Sequence, residues 1–305
     1  MFLPLGTKVV TRVPCKAAGR SYPAGSLGVV LAQPQDANHA YRVRMSDGAE
    51  ANIARKRLAT LSEHQEDGLT PSPASLEGPD AAGRVILRTI TGSRAYGLDH
   101  AGSDTDVRGV YLAHAERHAS LFGVPEQLED RETDVVLWEL QKFLVLALKA
   151  NPNILEVLYT PLVEEATGLG EELRALRGRL VSRLAFQTYV GYAQAQFKKL
   201  VRRVAAGSEP NWKHAMHLLR LLLAGRDLLA TGELGVVVPD VHRERLLEVR
   251  SGAVAFEHVD AWRQELLGEL ETADADSPLA QRPDHDAAND FLLHARRRAA
   301  EEWLR

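Results

Sequence analysis

The stretch from Thr91 to Val110, TGSRAYGLDHAGSDTDVRGV, limits what this chain can fold into more than any other. A β-branched run, RVILRTIT, leads into the small pair Gly92-Ser93. After ten intervening residues, Asp104 and Asp106 stand at i and i+2 before a second apolar edge, VRGVYLA. Residues i and i+2 of a strand share a face, and the rise per residue sets them about 7 Å apart. Two like charges so close invite a divalent cation. Oxygen ligands of this hardness suit Mg²⁺ or Mn²⁺, which bind a few carboxylates and complete their shell with water and phosphate oxygens. Gly92 lets the backbone approach a triphosphate closely, Ser93 offers a hydroxyl and an amide to its oxygens, and Arg94 adds charge.

Gly-Ser, ten residues and then Asp-Thr-Asp-Val resembles the signature of the polymerase-β nucleotidyltransferase superfamily. The longer text GSRAYGLDHAGSDTDVRGVY, followed by KFLVLALKANPNILEVLY, is similar more narrowly to the RNA-ligase-associated nucleotidyltransferases. NWKHAMHLLRLLLAGRDLLATG resembles the helical half of the same family. The likeness covers most of residues 84–300. It implies an α+β fold, with a polymerase-β-type nucleotidyltransferase core and a C-terminal helical domain. It also implies transfer of a nucleoside monophosphate from an NTP to a hydroxyl acceptor, supported by two metal ions, with pyrophosphate released. The implied acceptor is an RNA end, in repair or tailing beside an RNA ligase. Superfamily members place a third carboxylate on a neighbouring strand, and DRETDVVLWELQKF offers Glu132, Asp134 and Glu139. Asp134 is the expected third metal ligand because it opens the β-branched run DVVLW, whereas Glu139 begins a helical stripe. A capping or strand-end role for Asp134 is the competing reading.

ELQKFLVLALKA switches to helical spacing, and Asn151-Pro152 reads as a cap followed by a first-turn proline. Beyond residue 165 the text is almost wholly helical, with periodic runs over roughly 170–206, 211–231, 241–250, 259–273 and 286–304. Lys213, His217 and Arg220 fall at i, i+4 and i+7, a polar stripe on a leucine-rich helix. It is expected either to face the nucleotide or to face solvent. Lys198, Lys199, Arg202 and Arg203 form a denser basic cluster, read either as a phosphate-backbone track or as helix-end cations.

Residues 1–62 carry nine Lys or Arg against three acids, so this segment is +6 on a chain whose net charge is −4. Its short runs TKVVTRV, LGVVLAQ, YRVRM and AEANI, with Asp47-Gly48 as a hairpin signal, predict a small SH3-like β-barrel. Nucleic acid and protein are both open as its partner. EHQEDGLTPSPASLEGP has the composition of a linker. The expected division is therefore a barrel at 1–62, a linker at 63–80, a nucleotidyltransferase core at 81–165 and a helical domain at 166–305. Cys15 is the one cysteine, which fits a reducing cytoplasm, and no apolar run of about 18 residues suggests a membrane span. Two rival functions keep parts of this reading: a protein nucleotidylyltransferase of antitoxin type, and a non-catalytic nucleic-acid-binding protein.

Overall fold

The computed structural model describes residues 3–304 apart from 18, 35–39, 62–82, 101, 122 and 131. The linker expected at 63–80 lies outside the described residues. The chain divides into two compact units, Met1–Ser72 and Pro73–Arg305.

The first unit holds β1 (Lys8–Thr11), β2 (Cys15–Ala17), β3 (Arg20–Tyr22), β4 (Leu27–Ala32), β5 (Ala40–Met45), β6 (Glu50–Ala54) and β7 (Leu58–Thr60). Five of them form an antiparallel sheet in the order β6-β5-β4-β1-β7, and β2 with β3 makes a separate ribbon. Period-2 alternation explains which face is buried: Tyr41, Val43 and Met45 point into the core while Arg42 and Arg44 point out. At the predicted hairpin, the Asp47 carboxylate accepts from the Ala49 amide, and β5 pairs with β6. Among the described residues the two edges, β6 and β7, do not pair, so the sheet is open and the expected closed barrel is not found. A 3₁₀ turn at Arg55–Arg57 separates these edges, and β7 has only three residues with which to close a ladder.

The second unit is built on a mixed sheet of β8 (Gly83–Thr91), β9 (Asp106–Ala113), β10 (Gln127–Asp130), β11 (Val135–Glu139) and β12 (Val163–Ala166), in the order β10-β11-β9-β8-β12. β8 and β9 are antiparallel, with Thr91 opposite Asp106, and β9 runs parallel to β11. Two short helices lie among the strands, α1 (Gly92–Tyr96) and α2 (Ala115–Ala119). The others are α3 (Leu140–Leu148), α4 (Pro152–Tyr159), α5 (Gly168–Ala175), α6 (Arg177–Leu180), α7 (Leu184–Ala205), α8 (Trp212–Thr231), α9 (Asp240–Ser251), α10 (Phe256–Ala275) and α11 (His285–Trp303). Asn151 caps α4 as predicted, accepting from the Asn153 and Ile154 amides. The run expected at 170–206 breaks into three helices. Val181 is extended, and the Ser182 hydroxyl accepts the Leu184 amide, a local bond that competes with the helical ladder.

One hydrophobic cluster joins the sheet to the helices, from Ile86 and Leu87 through Leu219, Leu222 and Leu266 to Ala295. Along β9, Val110 and Leu112 enter that cluster, while Val107 and Tyr111 enter a smaller one on the opposite face. Asp106 and Arg108 share the parity of Val110 and Leu112, so they sit on the side covered by the helices. α7 and α8 approach closely because position 225 lacks a side chain: a Cβ there would lie 2.5 Å from Tyr189 Cδ1, and Tyr189 is buried. Gly225→Ala is therefore expected to destabilise the fold by about 1–3 kcal/mol through overpacking, despite alanine's better helix propensity. The urea unfolding midpoint checks it, and an unchanged or higher midpoint would contradict the tight crossing.

Candidate active site

A cleft of the second unit, with a volume of about 450 Å³, opens where β8 hands over to β9. Gly92 adopts a left-handed φ of 71° at the end of β8. A Cβ at this position would collide with the Asp106 carboxylate, so only glycine permits this approach. Ser93 follows it on the cleft wall.

Asp104 and Asp106 both line the cleft. The ladder begins at Asp106, so Asp104 lies in the loop just before the strand and not within it, and it is exposed. Asp134 lines the same cleft but sits in the turn just before β11 instead of opening that strand. Its φ of 50° is in the left-handed region, which aspartate tolerates better than most residues. The Asp134 carbonyl accepts the Val107 amide at 3.2 Å and Arg108 Nη1 at 2.6 Å. Glu139 lies at the far end of β11 and caps α3 by accepting from the Gln141 and Lys142 amides, away from the carboxylates.

Arg108 bridges the acids: its Nη2 stands 3.1 Å from Asp134 Oδ1 and 3.4 Å from Asp106 Oδ1. Burial, followed by the Asp134 carboxyl beside it, pushes Asp106 up to about 6, against the pull of Arg108 and Lys213. Negative charge is thus crowded at a half-buried point. Among the described residues no three His, Cys, Asp or Glu side chains converge as a ready-made metal cage.

Lys213 and His217 line this cleft from α8, which is the first of the two readings the polar stripe left open. The structure does not bring Arg94 and Arg220 there. Arg94 donates to the Ser103 carbonyl at the surface. Arg220 lies buried behind the wall, where its Nη2 donates to Glu156 Oε1 at 2.7 Å and its guanidinium stacks 3.6 Å from the Tyr96 ring centroid. Tyr96 in turn donates to Glu156 Oε2 at 2.6 Å. Arg220, the third member of the stripe, points inward because α8 is buried almost all round at that level.

Sequence reasoning missed Arg108, Tyr96, Glu156, Asn153 and Arg250 around this cleft. Two left a signal. Arg108 continues the i, i+2 spacing of the aspartates, and Glu156 is a lone acid in the apolar run NILEVLY. Arg250 left none: it reaches the site by donating to the Leu98 carbonyl across a long chain separation.

With this geometry in place, the comparison with protein families becomes decisive. The model of the RNA repair pathway DNA polymerase beta family (RlaP) matches residues 56–294. The chain belongs to that family. The match places the Gly92–Asp106 cleft, the mixed sheet and most of the helices within RlaP, and leaves the first 55 residues outside it. Among curated proteins, the uncharacterized protein YcgL of Bacillus subtilis is 31% identical over 146 residues, 46% of this chain and 55% of YcgL. The uncharacterized protein MJ0002 of Methanocaldococcus jannaschii is 26% identical over 154 residues, 48% of this chain and 61% of MJ0002. The matched stretches thus span little more than half the length of these relatives. No solved structure matches the chain. Among the described residues no helix is long and apolar enough to cross a membrane.

The cleft also makes a prediction about pH. Burial, then the cations Arg220, Lys213 and Arg250, hold His217 down to about 4. Its imidazole is neutral near pH 7, and unfolding returns it to its ordinary value near 6.5. The unfolded state therefore takes up the extra proton, and stability is expected to fall as pH drops from about 6.5 toward about 4. Between about pH 7 and about pH 4.5, the wild type should lose about 2 kcal/mol more than His217→Gln in denaturant titrations. Equal losses would mean that the imidazole is not held neutral.

Proposed function

We propose that this cleft transfers a nucleoside monophosphate from an NTP to a hydroxyl at an RNA end. The observation that carries the reading is the meeting of Gly92-Ser93, Asp104, Asp106, Asp134 and Lys213 on the walls of one cleft, in a chain of the RNA repair pathway DNA polymerase beta family. In the reaction the acceptor oxygen bonds to the α-phosphorus, the bond from that phosphorus to the β-phosphate bridge breaks, and pyrophosphate leaves with the pair of electrons. The hydroxyl proton passes to water.

Asp104, Asp106 and Asp134 are the residues that would hold Mg²⁺ or Mn²⁺. The fit rests on their donor chemistry and on the burial and the neighbouring Asp134 carboxyl that together raise Asp106. Magnesium keeps several waters and takes only one or two carboxylates plus phosphate oxygens, so a closed protein cage is not required. Bound there, the ions would supply activation of the acceptor hydroxyl and neutralisation of the leaving phosphates. Arg108 already balances Asp106 and Asp134 with positive charge. The backbone at Gly92 and the Ser93 hydroxyl would take the phosphate oxygens. Lys213 would add a point charge to the triphosphate, and neutral His217 would offer a hydrogen bond without repelling it. Arg220 contributes by fixing Tyr96 beneath this wall.

The division we propose gives catalysis to 81–165 and closure over the nucleotide to 166–305. On its strand order we read the amino-terminal sheet as SH3-like and as a docking module for RNA or for a partner such as an RNA ligase.

Incubation with each α-labelled NTP, Mg²⁺ or Mn²⁺, and pooled RNA and protein acceptors tests the reading. Label should pass to RNA, and Asp104→Ala/Asp106→Ala should lower the rate at least about a hundredfold, the scale of losing a group that acts in the transition state. Label on protein would shift the acceptor class. Transfer retained by the double variant would remove these aspartates from the mechanism.

A further inference from the structure

The outer face of α7 carries a charge pattern that folding alone does not account for. This 22-residue helix contains no acid, yet Lys198, Lys199, Arg202 and Arg203 crowd its second half, all exposed. Lys198 stands four residues from Arg202, and Lys199 four from Arg203, so like charges face each other on consecutive turns. Each such pair is unfavourable by about 0.2–0.5 kcal/mol. The helix dipole rewards cations only within the last turn, which covers Arg202 and Arg203 but leaves out Lys198 and Lys199. Among the described residues no acid lies in ion-pair reach of Lys198, Lys199 or Arg202. Arg203 donates to the Glu209 carbonyl and so ties the basic end of α7 to the turn that leads into α8. This unrelieved repulsion sits on a chain of net charge −4.

Each end of the face is tied to an element that lines the cleft. Beyond the Arg203 turn, the first turn of α8 places Lys213 on the cleft wall. Toward the other end, exposed Tyr192 lies two helical turns before Lys199 on the same side, and its hydroxyl accepts from Asn151 Nδ2 at 3.2 Å. Asn151 caps α4, whose Asn153 lines the cleft. A row of unpaired cations with an exposed aromatic ring beside it suits a phosphodiester backbone with unstacked bases.

We propose that the outer face of α7, through Lys198, Lys199, Arg202 and Arg203 with Tyr192, binds the backbone of single-stranded acceptor RNA and leads its end into the cleft. This deepens the reading of the cleft as an RNA-end transferase and rests on it for the identity of the acceptor. The polyanion screens the four cations at once, so the repulsion stored in the free helix is relieved on binding.

Fluorescence anisotropy of a labelled single-stranded RNA with the full chain, across a series of KCl concentrations, tests it. Four contacts should give a slope of log affinity against log salt near about −3, at roughly 0.7 per phosphate on a single strand. Lys198→Gln/Lys199→Gln/Arg202→Gln should reduce that slope by about 2. It should also raise KM for RNA and leave KM for NTP unchanged, while Lys198→Arg/Lys199→Arg keeps wild-type binding. The triple glutamine change should lower the salt slope equally in the Asp104→Ala/Asp106→Ala background, which separates this surface from the chemistry. RNA bound through this face without any label transfer would support the surface and sink the transferase reading. An unchanged salt slope in the triple glutamine variant, or a wild type that labels protein and does not bind RNA, would overturn the proposal.

Discussion

The close approach of the Gly92 backbone to the Asp106 carboxylate is the constraint on which the site depends. β8 and β9 pair with Thr91 opposite Asp106, so the turn that leaves β8 passes directly over the first carboxylate of β9. A left-handed glycine makes that turn without a side chain in the way. The same register sets the parity of β9: once Val110 and Leu112 are committed to the helical core, Asp106 and Arg108 must face the helices. Core packing and site chemistry are thus fixed by one strand register. A slip of one residue would turn both the aspartate and the apolar pair to the wrong face.

The helical half is held to this turn by a buried polar knot. Glu156 accepts from Tyr96 on α1 and from Arg220 on α8, and the Arg220 guanidinium lies over the Tyr96 ring. Burial raises the Tyr96 hydroxyl well above its ordinary value, so it stays a donor to the carboxylate. Buried ion pairs add little net stability, yet removing one partner leaves the other charged in the core, at a cost of about 3–5 kcal/mol. The pair therefore fixes where α8 lies more than it strengthens the fold. With Arg220 locked, Lys213 and His217, up to two turns earlier on the same helix, line the cleft that the carboxylates also line.

That Gly92, Ser93, Asp104 and Asp106 share one cleft was legible because the turn depends on local spacing within fifteen residues. So were the strands with clean alternation, such as Tyr41 to Met45, and the helix start at Asn151-Pro152. What stayed hidden depends on tertiary contact. Arg220 shares the i, i+4, i+7 spacing of a cleft-facing stripe, but α8 is buried nearly all round at that level, so periodicity could not assign its face. Asp134 begins a β-branched run, yet it takes the turn before the strand because its backbone carbonyl is needed by Val107 and Arg108. The edge pairing of the amino-terminal sheet depends on how far the Arg55–Arg57 turn carries the chain, which composition does not encode.

We propose that a side-chain-free turn at position 92 builds the nucleotide site against Asp106. Calorimetric titration of an NTP, in the presence of Mn²⁺, into the wild type and Gly92→Ala tests it most directly, with circular dichroism confirming that both are folded. The added methyl should displace the Asp106 carboxylate and weaken NTP binding at least about tenfold, a loss of roughly 1.4 kcal/mol. A folded Gly92→Ala protein that binds NTP as tightly as the wild type would contradict the account.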